Sequence, residues 1–259
     1  MSQLDARHIV LTGAAGGLGG LLASRLRRRG AHVTGIDRVP SRDCDDHLVA
    51  DLADPGALAD LTSALGERRV DILANVAGLQ YFGPFERQGA AGIALGYAVN
   101  LVAPAILAGA VVPQMIARGD GQIVNIGSVM GAVPYPYFTA YSSAKAGLKG
   151  LSQALRRELG GRGIAVTHVA PRAVRTGFNT ATIERFMALT KMTADDPDAV
   201  ADRIFRAIER RERDVSIGLP ERVFTQLNAM LPGVVDRGLA SQVLTARGLF
   251  QDYSSGALS

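Results

Sequence analysis

Cysteine is nearly missing from this 259-residue chain: Cys44 stands alone. That excludes an internal disulfide and any multi-cysteine metal site, and no metal is expected. Long hydrophobic runs are missing too. The longest, residues 101–113, is too short to cross a bilayer and contains Pro104 and Pro113. A buried or interface helix is expected there, not an integral membrane segment. The first seven residues are short and polar, with no charged stretch leading into an apolar core, so a cytoplasmic location is expected. No internal repeat or low-complexity linker interrupts the chain. A large excess of either charge is missing as well: 28 Lys and Arg face 24 Asp and Glu, for a net charge of +4. The basic clusters at 25–29 and 206–213 fall in helix-like stretches and read as solvated faces, which argues against nucleic-acid binding.

What is present is a globular composition, 47% hydrophobic with 30 glycines, enough for one sizeable α/β core. Strand patterns at 8–12, 31–37, 47–51, 70–74, 122–126, 164–169 and 214–218 alternate with helical patterns. The helices are expected at 18–29, from Asp54-Pro55 onward, at 92–117, 141–159 and 198–211. Such alternation implies βαβ units and a parallel sheet flanked by helices. The regularity breaks after Pro171. Residues 176–193 look like a substrate loop with short helical pieces, and 221–259 like a C-terminal helical appendage on a single domain spanning 1–259.

Between the first strand and the first helix lies Thr12-Gly13-Ala14-Ala15-Gly16-Gly17-Leu18-Gly19. Glycine at Gly13, Gly17 and Gly19 permits a tight turn and close approach of a pyrophosphate to the helix N-terminus. A tight turn with no ligand is the plainer alternative. Asp37 ends the second strand, where a carboxylate can accept from ribose hydroxyls and would repel a 2′-phosphate. This favours NAD over NADP, although Arg38 stands beside it. Asp51 follows the third strand and is a candidate for the adenine amine, or a plain loop aspartate.

Tyr141 and Lys145 lie four apart on a helix and share a face. An ammonium beside a phenol favours the phenolate, which suits a general acid/base for alcohol or ketone chemistry. Alone the pair could be an ordinary surface Tyr/Lys pair. Ser128, thirteen residues earlier, follows a strand and so lies at the carboxyl end of the sheet. The loop between them holds Pro134, Tyr135, Pro136, Tyr137 and Phe138 and can wall a pocket.

These motifs together resemble the short-chain dehydrogenase/reductase family, over about two-thirds of the chain. TGxxxGxG runs from Thr12 to Gly19, Asp37 and Asp51-Leu52 end strands, and Asn75-Val76-Ala77-Gly78 is similar to the family's NNAG. Asn100, Ser128, Tyr141 and Lys145 match its Asn-Ser-Tyr-Lys tetrad. The resemblance implies a Rossmann-like doubly wound sheet and a reaction that interconverts a secondary alcohol and a ketone. It also implies cofactor contacts from Gly13, Gly17, Leu18, Gly19, Asp37, Asp51, Leu52, Asn75, Ala77, Gly78, Tyr141, Lys145, Pro171, Val174 and Thr176. By the same resemblance Tyr141 exchanges the substrate proton and Lys145 lowers its pKa and binds the nicotinamide ribose. Ser128 orients the substrate oxygen, and Asn100 holds a water that relays protons to Lys145. One element departs from pattern: the loop after strand six, usually PGxxxT, reads Pro171-Arg172-Ala173-Val174-Arg175-Thr176. Arg172 and Arg175 could meet an anion or simply face solvent.

The substrate region offers Phe178, Ile183, Phe186, Met187, Leu189 and Met192, which points to a largely apolar alcohol or ketone. The appendage would pack on the body, cover the pocket or dock a partner, with packing on the body favoured. Family members commonly pair through their fourth and fifth helices, so a homodimer or homotetramer is expected. Two other readings stand beside the alcohol–ketone one: a dehydratase or epimerase on the same scaffold, and a non-catalytic NAD-binding sensor.

Overall fold

The computed structural model describes residues 4–254. Seven parallel strands form one sheet: β1 (His8–Thr12), β2 (His32–Asp37), β3 (Asp46–Val49), β4 (Ile72–Asn75), β5 (Gly121–Ile126), β6 (Ile164–Ala170) and β7 (Asp214–Ser216). Their order is β3-β2-β1-β4-β5-β6-β7. The sheet is of the Rossmann type, and the direction of winding reverses between β1 and β4.

Strands buried on both faces need apolar side chains on both. In β1, Ile9 and Leu11 enter one core with Leu22 and Leu26, while Val10 enters the opposite core with Leu61, Leu65 and Leu107. The first core lies under α1 (Gly17–Arg27) and α7 (Pro197–Glu209). The second lies under α2 (Pro55–Glu67) and α4 (Ala103–Arg118). Asp54 starts α2 by accepting from the Gly56 N–H, with Pro55 in the first turn. Asp196 starts α7 by accepting from the Asp198 and Ala199 N–H groups.

The helix expected at 92–117 is two helices. α3 (Phe85–Tyr97), broken at Gly89, meets α4 through a π-helical turn at Ala98–Val102. Asn100 sits in that turn, a widening often found at functional sites. The continuous run Phe85–Arg118 is long and apolar enough to span a bilayer by length and composition, which residues 101–113 alone are not. Much of it is core: Leu107, Val111 and Met115 are fully buried.

The loop expected at 176–193 contains α6 (Ala181–Thr190), capped by Thr180, which accepts from the Ile183 N–H. The helix α5 (Thr139–Glu158) carries the tyrosine and lysine. The appendage is a hairpin of α8 (Leu219–Met230) and α9 (Pro232–Ser254). It packs on the body as expected, and it also covers the cleft at the carboxyl edge of the sheet. The part of the expected 221–259 segment beyond 254 lies outside the described residues.

Candidate active site

The glycine turn after β1 is fixed by contacts that exclude side chains. Gly13 has a φ of +72°, and a Cβ there would lie 2.7 Å from the Ala77 Cα. At Gly19 a Cβ would lie 2.0 Å from the Gly13 carbonyl oxygen. Thr12 Oγ1 accepts from the Val76 and Ala77 N–H groups, both at 3.1 Å. The ends of β1 and β4 are thereby pinned together at the reversal point. Gly17 has a different neighbour: its missing side chain leaves it against the Thr176 methyl. Asp37 accepts from the Ala15 N–H at 3.0 Å and the Arg38 N–H at 2.7 Å. Asp51 accepts from the Ala53 N–H at 2.9 Å.

Ser128, Tyr141 and Lys145 meet at the other end of the same cleft. Ser128 leaves β5 in extended conformation, accepts from the Met130 N–H and lies beside the Tyr141 phenol. Burial pushes that phenol up to about 12, against the downward pull of the Ser128 hydroxyl. Lys145 is buried and donates to the Ile126 carbonyl at 2.8 Å, and burial pushes its ammonium down to about 8. The expected depression of the phenol by Lys145 is not found: burial raises it, and Ser128 is what opposes the rise. Desolvation favours the neutral form of both groups.

Asn100 is fully buried behind them. Its amide donates to the Leu79 carbonyl at 2.8 Å and the Gly96 carbonyl at 2.9 Å, and its Oδ1 accepts from the Leu79 N–H. A Cβ on Gly78 would fall 3.0 Å from Asn100 Oδ1 and 3.5 Å from Lys145 Nζ, so both polar atoms face the space that glycine leaves.

The cleft has a volume of about 1240 Å³, above the ~300–1,000 Å³ usual for a single small ligand. Gly13, Gly17, Leu18, Gly19, Asp37, Asp51, Leu52, Ala77, Gly78, Pro171, Val174 and Thr176 line it, as do Ser128, Tyr141 and Lys145. Asn75 does not line it. Its side chain is buried and donates to Asn125, which donates to Ser152 on α5. Where a cofactor contact was expected, the amide ties β4 to β5, because the alternation of the strand turns it into the sheet's flank.

The atypical loop after β6 closes on itself. Arg172 forms a two-pronged ion pair with Asp195, and Arg175 pairs with Asp196 at 3.1 Å. Val174 and Asp195 form a β-bridge. The two arginines thus clasp the base of the 176–193 segment: Arg175 faces solvent as expected, and Arg172 is drawn partly inward by Asp195. Gln80 Nε2 donates to the Phe178 carbonyl and to Asn179 Oδ1, both at 3.1 Å, which fastens the segment to the loop after β4.

Two features escaped the sequence reading. His168 on β6 is buried with Nε2 unpartnered, and a Cβ on Gly127 would lie 2.2 Å from that nitrogen. Burial pushes its imidazole down to about 4, the nearby Asp214 opposing. An aromatic cluster roofs the tyrosine: Phe82 stacks on Phe138 at 4.6 Å, and Tyr137 on Phe250 at 5.5 Å. Tyr137 holds a φ of +65°, uncommon for an aromatic residue.

A family profile described as short chain dehydrogenase matches residues 7–185. A ketoacyl reductase, HetN, from Nostoc is 30% identical over 84% of this chain and 80% of its own. A short-chain dehydrogenase from Sphingobium yanoikuyae, solved with NADPH, superposes with a TM-score of 0.75 at 31% identity, covering 89% of this chain and 95% of the other. A bulky-bulky ketone specific alcohol dehydrogenase from Comamonas testosteroni gives a TM-score of 0.74 at 30% identity, covering 90% and 94%.

Proposed function

The chain belongs to the short-chain dehydrogenase/reductase family, and we propose that within it this protein reduces an apolar ketone to a secondary alcohol, and the reverse, with NAD(H). The observation that carries this reading is one cleft with a glycine turn at one end and Ser128, Tyr141 and Lys145 together at the other. The turn fits a dinucleotide: its backbone is bare where a Cβ would intrude, and helix α1 begins there with free N–H groups. Gly13, Gly17, Leu18, Gly19, Asp37, Asp51, Leu52, Ala77, Gly78, Pro171, Val174 and Thr176 would hold it. When bound, the nicotinamide supplies or accepts the hydride.

The chain's own residues handle the proton. A phenol pushed up to about 12 is protonated at neutral pH, so Tyr141 donates to the carbonyl oxygen as the alcohol forms. Ser128 orients that oxygen. Lys145, anchored on Ile126, returns a proton to Tyr141, and Asn100 holds the water that resupplies Lys145 across the space at Gly78. Asp37, already turned onto the glycine loop, disfavours a 2′-phosphate, which supports NAD over NADP. The half-exposed apolar side chains Leu95, Val102 and Ile106 on the α3–α4 face support a homo-oligomer. The direct test is oxidation of NADH and of NADPH on addition of apolar ketones. Turnover faster with NADPH, or confined to polyols, contradicts the reading.

A further inference from the structure

The inner face of α9 runs away from the catalytic centre. Near Tyr141 its residues Ala246 and Leu249 are buried in the cluster that holds Phe138, Ile183 and Phe186. Further out, Leu239 and Val235 continue the same face, and there they line the cleft. The part of α9 that lines the cleft runs from Gln242 to Val234, eight residues or about 12 Å of helix. Opposite them Leu227 of α8 lines the same cleft. The one amide on this path, Gln242, satisfies itself on the Gly238 and Leu239 carbonyls. Asn228 is likewise spent on the Ala132 carbonyl, which fastens α8 to the loop after Ser128.

Two features say that the path is long, apolar and open at its far end. The sequence from Val223 to Val235 has no ionisable residue. Phe224 and Val234 line the cleft and are also 54% and 48% exposed, so the apolar lining runs out onto the surface. A closed pocket for a compact ring system would end in a buried wall. Here most of the aromatic side chains crowd the catalytic end, and Leu227, Val234, Val235 and Leu239 line the outer reach with Phe224 at its rim.

We infer that the α8–α9 hairpin forms one wall of a groove for an extended hydrocarbon chain, so that the substrate is a ketone or alcohol carrying a long aliphatic tail. The tail runs from Tyr141 along α9 and leaves between Phe224 and Val234. At about 1.3 Å of advance per carbon, from bonds of about 1.5 Å, a path of about 12 Å takes roughly nine carbons. This inference rests on the oxidoreductase reading for the chemistry but not for the binding.

The test uses 2-alkanones from 2-butanone to 2-dodecanone, with acetophenone as a compact aromatic probe. Each added methylene should raise kcat/KM about three- to four-fold until the tail reaches the rim. Calorimetric binding of the same series to Tyr141→Phe should carry the same slope. Leu227→Asn and Val234→Asn should each lower the ratio of kcat/KM for 2-undecanone to that for 2-butanone about ten-fold, a ratio that cancels any loss of folded protein. Flat series in both turnover and binding, acetophenone outperforming 2-undecanone, or an unchanged ratio in both variants would overturn the groove. A binding slope without turnover of any ketone would leave the groove standing and overturn the reaction.

Discussion

Lys145 lies 5.8 Å from the centre of the Tyr141 ring, held there by its 2.8 Å bond to the Ile126 carbonyl. The strand end, not the phenol, fixes the ammonium. Burial acts on both groups, raising one pKa and lowering the other, so a protonated tyrosine and a cationic lysine coexist over the neutral range.

That arrangement sets a pH profile. Below about 8 Lys145 is charged and Tyr141 keeps its proton. Reductive kcat/KM should be level from pH 6 to 7.5 and bend downward above about 8 as the ammonium is lost. Stability moves the other way in that window. The unfolded lysine, with its pKa of 10.5, holds more protons than the folded one between about 8 and 10.5, so this group's contribution rises with pH there. A profile with no bend before pH 10 would contradict the role of Lys145.

His168 predicts an acid transition. Its folded pKa, about 4, lies below the ordinary 6.5, so the unfolded chain takes up a proton first as pH falls. Stability should drop by about 3 kcal/mol between pH 6.5 and 4 from this group alone. Denaturant titrations of the wild type and of His168→Gln across that range check it; the variant should lose most of the slope.

The glycines of the turn separate by role. Gly19→Ala places a methyl 2.0 Å from a backbone oxygen, and Gly13→Ala adds a left-handed φ to a 2.7 Å backbone contact. Each should lower the melting temperature by several degrees and cost about 1–3 kcal/mol. Gly17→Ala meets only the Thr176 side chain. It should melt close to the wild type while binding the dinucleotide at least ten-fold more weakly by calorimetry.

Much of this was legible in the sequence because it depends on local spacing. The strand–turn–helix at 12–19, the i, i+4 pair at 141 and 145 and the serine at a strand end are short-range patterns. The π-turn at Asn100 was hidden because apolar periodicity continues through it. The Arg172–Asp195 clasp joins residues 23 apart across a segment with no pattern of its own. The role of Asn75 depends on Asn125 and Ser152, partners that strand pairing alone brings near. The covering role of α9 follows from where a helix docks, which its own periodicity does not state.

The clasp has its own test. Arg172 and Asp195 are 26% and 18% exposed, and a two-pronged pair in that setting couples by roughly 1–2 kcal/mol. A double-mutant cycle with Arg172→Gly and Asp195→Asn should show coupling of that size. Either single variant should speed proteolysis between 176 and 193 and raise KM more than it lowers kcat. Additive effects would mean that the pair does not hold the segment.

The central claim is that Tyr141 moves the substrate proton. Tyr141→Phe removes one oxygen from a buried site and leaves the ring packed. Ketone-dependent NADH oxidation should fall at least a thousand-fold in that variant, while the dissociation constant for NADH, measured by calorimetry, stays within about three-fold. Turnover within ten-fold of the wild type would contradict the account.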